Sequence, residues 1–192
     1  MDSKESPIRY PVAEGLSVFA LVIYIDGPLG IFLDDLRREL TPAYNPHAHV
    51  SVLPPRALPA DHRDAAEQAR SLAESVEAFD VELTDIEIFT ATAVTFIEVG
   101  RGAAELKKMH AALNQGPLAF DEPFQYHPHI TLAQEIPRGE VPRIHELARK
   151  RWREYTGSRG FRAERITFVQ NTLGNCWTDL AEYSLGKIPA KK

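Results

Sequence analysis

His47-Ala48-His49-Val50-Ser51-Val52 returns eighty positions later as His127-Pro128-His129-Ile130-Thr131-Leu132. In a strand, residues i and i+2 share a face and the residue between them points the other way. Each hexamer therefore reads as a strand with His and a hydroxyl residue on one side and a branched apolar residue on the other. His49 and Ser51 would face together, as would His129 and Thr131, while Val50 and Ile130 enter a core. By the same parity His47 and His127 share that polar face, nearer the loop end. The eighty-residue offset also pairs Arg63 with Arg143, Ile86 with Ile166, and Ile88 with Phe168.

The segments around the hexamers repeat in the same order. Leu16 to Ile25 reads as a buried strand, broken by Gly27-Pro28. Leu33, Leu36 and Leu40 have helical spacing, and Thr41-Pro42 opens a Pro-rich loop. The strand from His49 is expected to stop at Pro54-Pro55. Asp61 is a candidate N-cap for a helix burying Ala65, Ala69, Leu72 and Val76, and Val81 to Phe89 is again strand-like.

The second series runs through a strand at Ala93 to Val99 and a helix carrying Leu106, Met109 and Leu113. A strand at His129 to Ala133, a helix over roughly Pro142 to Tyr155, and strands at Arg165 to Val169 and Thr178 to Ser184 follow. The order β-α-β-α-β thus occurs twice, a duplication of long period rather than a solenoid. With no low-complexity linker between halves, residues 1–192 are expected to form a single bilobal domain. Its pseudo-repeats are about 16–89 and 92–185, and the paired motifs face one another across a pseudo-two-fold axis.

Composition narrows the partners. A net charge of −5 on 192 residues supplies no global basic field for long nucleic acid, though a local site for a small anion or a nucleic-acid terminus needs none. Cys176 is the sole cysteine, which fits a reducing, cytoplasmic home. No uninterrupted apolar run reaches the length of a membrane span, and the start of the chain lacks the pattern of a signal peptide. No membrane association is expected, and the size suits a monomer. The Lys-rich end, Lys187 to Lys192, reads as a solvated tail.

Two imidazoles and two hydroxyls in one cleft suit cleavage of a phosphodiester. One group must take a proton from the attacking oxygen while another gives one to the leaving oxygen. Imidazole does both near neutral pH, and the hydroxyls donate hydrogen bonds to non-bridging phosphate oxygens. The scheme requires no cofactor and no metal. Four imidazoles, those of His47, His49, His127 and His129, also offer a metal reading, but a metal site would not require the hydroxyl at the third triplet position, which phosphate binding does.

The triplets His49-Val50-Ser51 and His129-Ile130-Thr131 resemble the paired His-x-(Ser/Thr) motifs of the 2H phosphoesterase superfamily. The run Tyr126 to Ala133 is similar to the second motif of its bacterial 2′-5′ RNA ligase and cyclic phosphodiesterase branch. The resemblance implies an α+β fold with two antiparallel sheets lining a central cleft and helices outside. It implies action on 2′,3′-cyclic phosphates or 2′-5′ linkages at RNA ends, or on small cyclic nucleotides. His49 and His129 match the family's catalytic pair, and Ser51 and Thr131 its phosphate-binding hydroxyls. Gln134 departs from the basic residue that many relatives carry there. The alternative is a non-catalytic RNA-end or nucleotide-binding module using the same cleft.

Other residues carry weaker expectations. His62, His110 and His145 read as surface residues of helices, and Arg56 as a solvated loop residue more than a phosphate ligand. Phe124 reads as core, and Tyr126 as either core or a base-stacking group. The run Arg149 to Arg153 reads mostly as a solvated helix face.

Overall fold

A computed structural model describes residues 15–41, 46–58, 62–173 and 176–186. The first half supplies β1 (Gly15–Tyr24), α1 (Gly27–Leu40), β2 (His49–Ala57), α2 (Arg63–Ser75) and β3 (Phe79–Phe89). The second supplies β4 (Val94–Val99), α3 (Ala103–Leu113), β5 (His129–Ala133), α4 (Val141–Glu154), β6 (Gly160–Ala163), β7 (Arg165–Thr172) and β8 (Trp177–Ser184). Asp61 and the Lys-rich end lie outside the described residues; α2 begins after His62.

The strands form two antiparallel four-stranded sheets, ordered β2-β1-β7-β8 and β5-β4-β3-β6. The halves are interleaved. β7, from the second half, lies against β1 with Phe168 opposite Leu21, and β3, from the first, lies against β4 with Ile86 opposite Ile97. Helices cross over in the same way: α1 packs on β5 and α4, while α3 packs on β2 and α2. The hydrophobic stripes drive this packing. Leu29, Leu33, Leu36 and Leu40 of α1 and Leu106, Met109 and Leu113 of α3 are all buried in one continuous core. β1 is buried on both faces, with Phe19, Leu21 and Ile23 in the main core and Ala20 and Val22 against Val169.

Two elements differ from the sequence reading. β2 continues through Pro54-Pro55 to Ala57, because it is the edge strand of its sheet and an outward-facing proline leaves no ladder bond unmade. Register shifts around Leu21 accommodate the passage. β6 is an unexpected short strand, Gly-Phe-Arg-Ala, that pairs with Phe79 to Glu82 at the edge of the other sheet.

Gly30 fixes the approach of α1 to the end of β1. A Cβ there would lie 1.7 Å from the Ile25 carbonyl oxygen, so the helix must shift to admit any side chain. Gly30→Ala is expected to destabilise the protein by about 1–3 kcal/mol, the usual range for overpacking. The check is the urea midpoint at unchanged m-value; a midpoint equal to wild type would refute the close approach.

Candidate active site

β2 and β5, the edge strands of the two sheets, contact one another. The alternation expected from the sequence holds in both. Val50, Val52, Ile130 and Leu132 are fully buried, while His49, Ser51, His129 and Thr131 lie half-buried on the opposite side. Ser51, His129 and Thr131 line a cavity of about 590 Å³, together with His127, Gln134, Tyr126 and a largely apolar wall. His49 is not among the lining residues. It stands two positions before Ser51, close enough to His129 for a charge there to lower its own pKa further.

His47 and His127 precede the strands rather than continuing them, so strand parity does not govern their side chains. His47 adopts φ 65° and is exposed, whereas the His127 ring lines the cavity. Their main chains do the same thing. His49 Nδ1 lies 2.8 Å from the His47 carbonyl oxygen, and His129 Nδ1 lies 2.7 Å from that of His127. A carbonyl only accepts, so each Nδ1 carries the proton and donates it. In each neutral ring this leaves the Nε2 lone pair for chemistry. At His129, Thr131 Oγ1 stands 3.1 Å from Nε2 and donates to it. Phe89 and Phe96 pack edge-on against the His129 ring, with centroids 4.9 and 5.3 Å away.

Burial pushes the His49 imidazole down to about 4, and the Arg37 guanidinium and His129 push the same way. The hydrogen bond to His47 and the Asp34 carboxylate oppose the shift. Burial also lowers His129, with His127 adding to the effect. Both rings are therefore neutral at pH 7 in the free protein. An imidazole with a lowered pKa binds fewer protons folded than unfolded, so stability falls as pH drops from about 6.5, the unfolded value, towards 4. His49→Asn, whose amide can replace the Nδ1 donor, is expected to flatten that fall in urea titrations. An unchanged slope would refute the lowered pKa.

Several residues stand where the sequence did not put them. Arg56 is buried and neither solvated nor aimed at the cavity; it binds Asn114, the Leu118 carbonyl and Glu122. His110 is buried because α3 lies on β2, with Nδ1 donating to the Val52 carbonyl at 2.9 Å. Its ring stacks on Tyr126 at 3.9 Å, and Tyr126 Oη donates to the Ser51 carbonyl at 2.9 Å. His62 packs against the stacked rings of Phe19 and Phe168, and His145 reaches the Ile86 carbonyl. Phe124 is 63% exposed and lines the cavity, since it sits on a loop with no layer above it.

One signal for buried polar helix residues was present in the repeat. Leu33-Leu36-Arg37-Leu40 aligns with Leu106-Met109-His110-Leu113, and Arg37 and His110 are both buried. The basic run of α4 behaves as read: Arg149, Lys150 and Arg151 pair with carboxylates, and Trp152 is buried with its indole N–H on the Thr84 carbonyl. Cys176 is exposed and does not line the cavity. Among the described residues, no three His, Cys, Asp or Glu side chains gather to hold a metal ion. Also among them, no helix is long and apolar enough to cross a membrane.

Known proteins share this family and fold. The sequence profile of the 2′-5′ RNA ligase superfamily matches residues 26–175. BH1439 of Halalkalibacterium halodurans, whose phosphoesterase name is provisional, is 22% identical over 163 residues, covering 81% of this chain and 92% of that protein. Among solved structures, TT0787 of Thermus thermophilus superposes with a TM-score of 0.63 at 16% identity, covering 89% of this chain and all of that one. LigT of E. coli, crystallised with 3′-AMP, superposes with a TM-score of 0.61 at 14% identity, covering 88% of this chain and 98% of that one. These superpositions establish a shared fold.

Proposed function

Because the chain belongs to the 2′-5′ RNA ligase superfamily, and so to a class of phosphoesterases, we propose that it is a metal-independent phosphodiesterase acting on 2′,3′-cyclic phosphates or 2′-5′ linkages at RNA ends. The observation that carries this reading is the matched pair of imidazoles, each with Nδ1–H held by the carbonyl two residues before it. That bond fixes the tautomer and presents Nε2 as the proton-transferring atom in both.

In the proposed reaction, Nε2 of one imidazole takes a proton from water as its oxygen attacks phosphorus. Nε2–H of the other, protonated when the negative charge of the bound ester raises its pKa, gives its proton to the departing ribose oxygen as the P–O bond breaks. A cyclic phosphodiester becomes a phosphomonoester with a free neighbouring hydroxyl. Ser51 and Thr131 hydroxyls hold the non-bridging oxygens. With a 5′-hydroxyl in place of water as the attacking group, the same path forms a 2′-5′ linkage as the bond to the 3′-oxygen breaks and that oxygen takes the proton, which is the ligation direction. The 3′-AMP bound by LigT has the phosphomonoester chemistry of such a product.

Cytidine 2′,3′-cyclic phosphate incubated with the protein in EDTA is expected to give a single phosphomonoester at the rate seen without chelator. Loss of turnover in EDTA would overturn metal independence. Absence of turnover on every cyclic and 2′-5′-linked substrate, with nucleotide still bound, would leave only the binding module.

A further inference from the structure

The segment between α3 and β5 forms much of the cavity wall, contributing Phe120, Glu122, Pro123, Phe124, Gln125 and Tyr126. Apart from a single 3-10 turn at Gly116–Leu118, it has no regular structure of its own. Something else must hold it in place, and β2 does. Arg56, seven positions after His49, is 2% exposed and spreads its guanidinium beneath the segment. Its Nη1 donates to Asn114 Oδ1 at 2.7 Å and to the Leu118 carbonyl at 2.8 Å, its Nη2 donates to Glu122, and its Nε returns to the Pro54 carbonyl at 3.1 Å. Asn114 completes the brace by bonding both the amide and the carbonyl of Phe120. Glu122 Oε2 also lies 3.5 Å from His110 Nε2, beneath Tyr126.

Burying a guanidinium is costly unless every donor is engaged and the charge is matched. Three of its four partners belong to one segment, and that segment turns Phe120 and Phe124 outward. Phe120 and Phe124 are 41% and 63% exposed, an arrangement costly in water unless a flat apolar group covers them. We propose that Arg56 is a positioning residue: it fixes the 114–126 segment so that Phe120 and Phe124 form an aromatic subsite. That subsite selects phosphodiesters bearing a nucleobase over those bearing only a sugar. The inference rests on the proposed phosphodiesterase reading and names the part of the substrate, other than its phosphate, that the cavity recognises.

The test compares cytidine 2′,3′-cyclic phosphate with methyl β-riboside 2′,3′-cyclic phosphate, which has the same reacting ring and no base. Arg56→Lys keeps the charge but loses the fork; Asn114→Ala removes the bonds to Phe120 together with one acceptor of the Arg56 guanidinium; Phe124→Ala removes an exposed ring and poses no folding risk. Each is expected to raise KM for the cytidine substrate about tenfold, the loss of one base-stacking contact. kcat should stay within about twofold, and the ratio of kcat/KM between the two substrates should collapse. Equal losses on both substrates, or no loss in Phe124→Ala, would overturn the proposal. Parallel Kd measurements with cytidine 3′-monophosphate and methyl riboside 3′-phosphate give the same ratio without turnover. A wild-type protein that prefers the nucleotide in binding but hydrolyses neither ester thus refutes the phosphodiesterase reading while sustaining the subsite. Equal binding of the two refutes the subsite alone.

Discussion

His129→Ala and His49→Ala are each expected to lower kcat on a 2′,3′-cyclic nucleotide by about 10²–10⁴-fold, the usual contribution of a positioned acid or base. Both proteins should fold. His49 and His129 are only half-buried, and the strands that carry them are held by Val50, Val52, Ile130 and Leu132 on the opposite side. The double variant should lose little more than either single one, because a proton taken without a proton given stalls at the same barrier. Near-full activity in either single variant would remove the two-imidazole mechanism. Strictly additive losses would assign the two residues independent roles.

The second large effect belongs to the hydroxyls. Thr131→Ala and Ser51→Ala are expected to cost about 10²–10³-fold in kcat, comparable to removing one donor from an oxyanion site. Thr131 has a second consequence. Its hydroxyl donates to His129 Nε2 and so favours the neutral ring. Without it, the His129 pKa should rise, and the pH limb assigned to that residue should move to higher pH. Thr131→Ser should restore both rate and limb. A rate loss with no movement of the limb would show that the hydroxyl touches phosphate alone.

Much of this site was legible because its chemistry is local and repeated. Two His-x-(Ser/Thr) triplets flanked by β-branched residues declare both a strand and its polar face, and the spacing of Leu33, Leu36 and Leu40 against Leu106, Met109 and Leu113 declares matching helices. What could not be read depends on long-range pairing. Nothing in β3 or β7 says that each joins the sheet begun by the other half, since both satisfy the same alternation in either sheet. Arg56 looked like a loop residue because two prolines precede it, while the partners that bury it are 58 to 66 positions away. Phe124 looked like core because an aromatic side chain gains most from burial; its exposure follows from a segment tethered beneath rather than covered above. β6 escaped notice because four residues with one aromatic carry no usable period.

The most direct test of the two-imidazole reading is the pH dependence of kcat/KM for cytidine 2′,3′-cyclic phosphate in the presence of EDTA. The expected result is a bell, because the reactive form carries one proton between the two imidazoles, so it is lost when both are neutral and when both are protonated. Its acid limb should lie below pH 6.5, since burial lowers both rings. A rate that stays flat from pH 4 to pH 9, or that vanishes with the chelator, would contradict it.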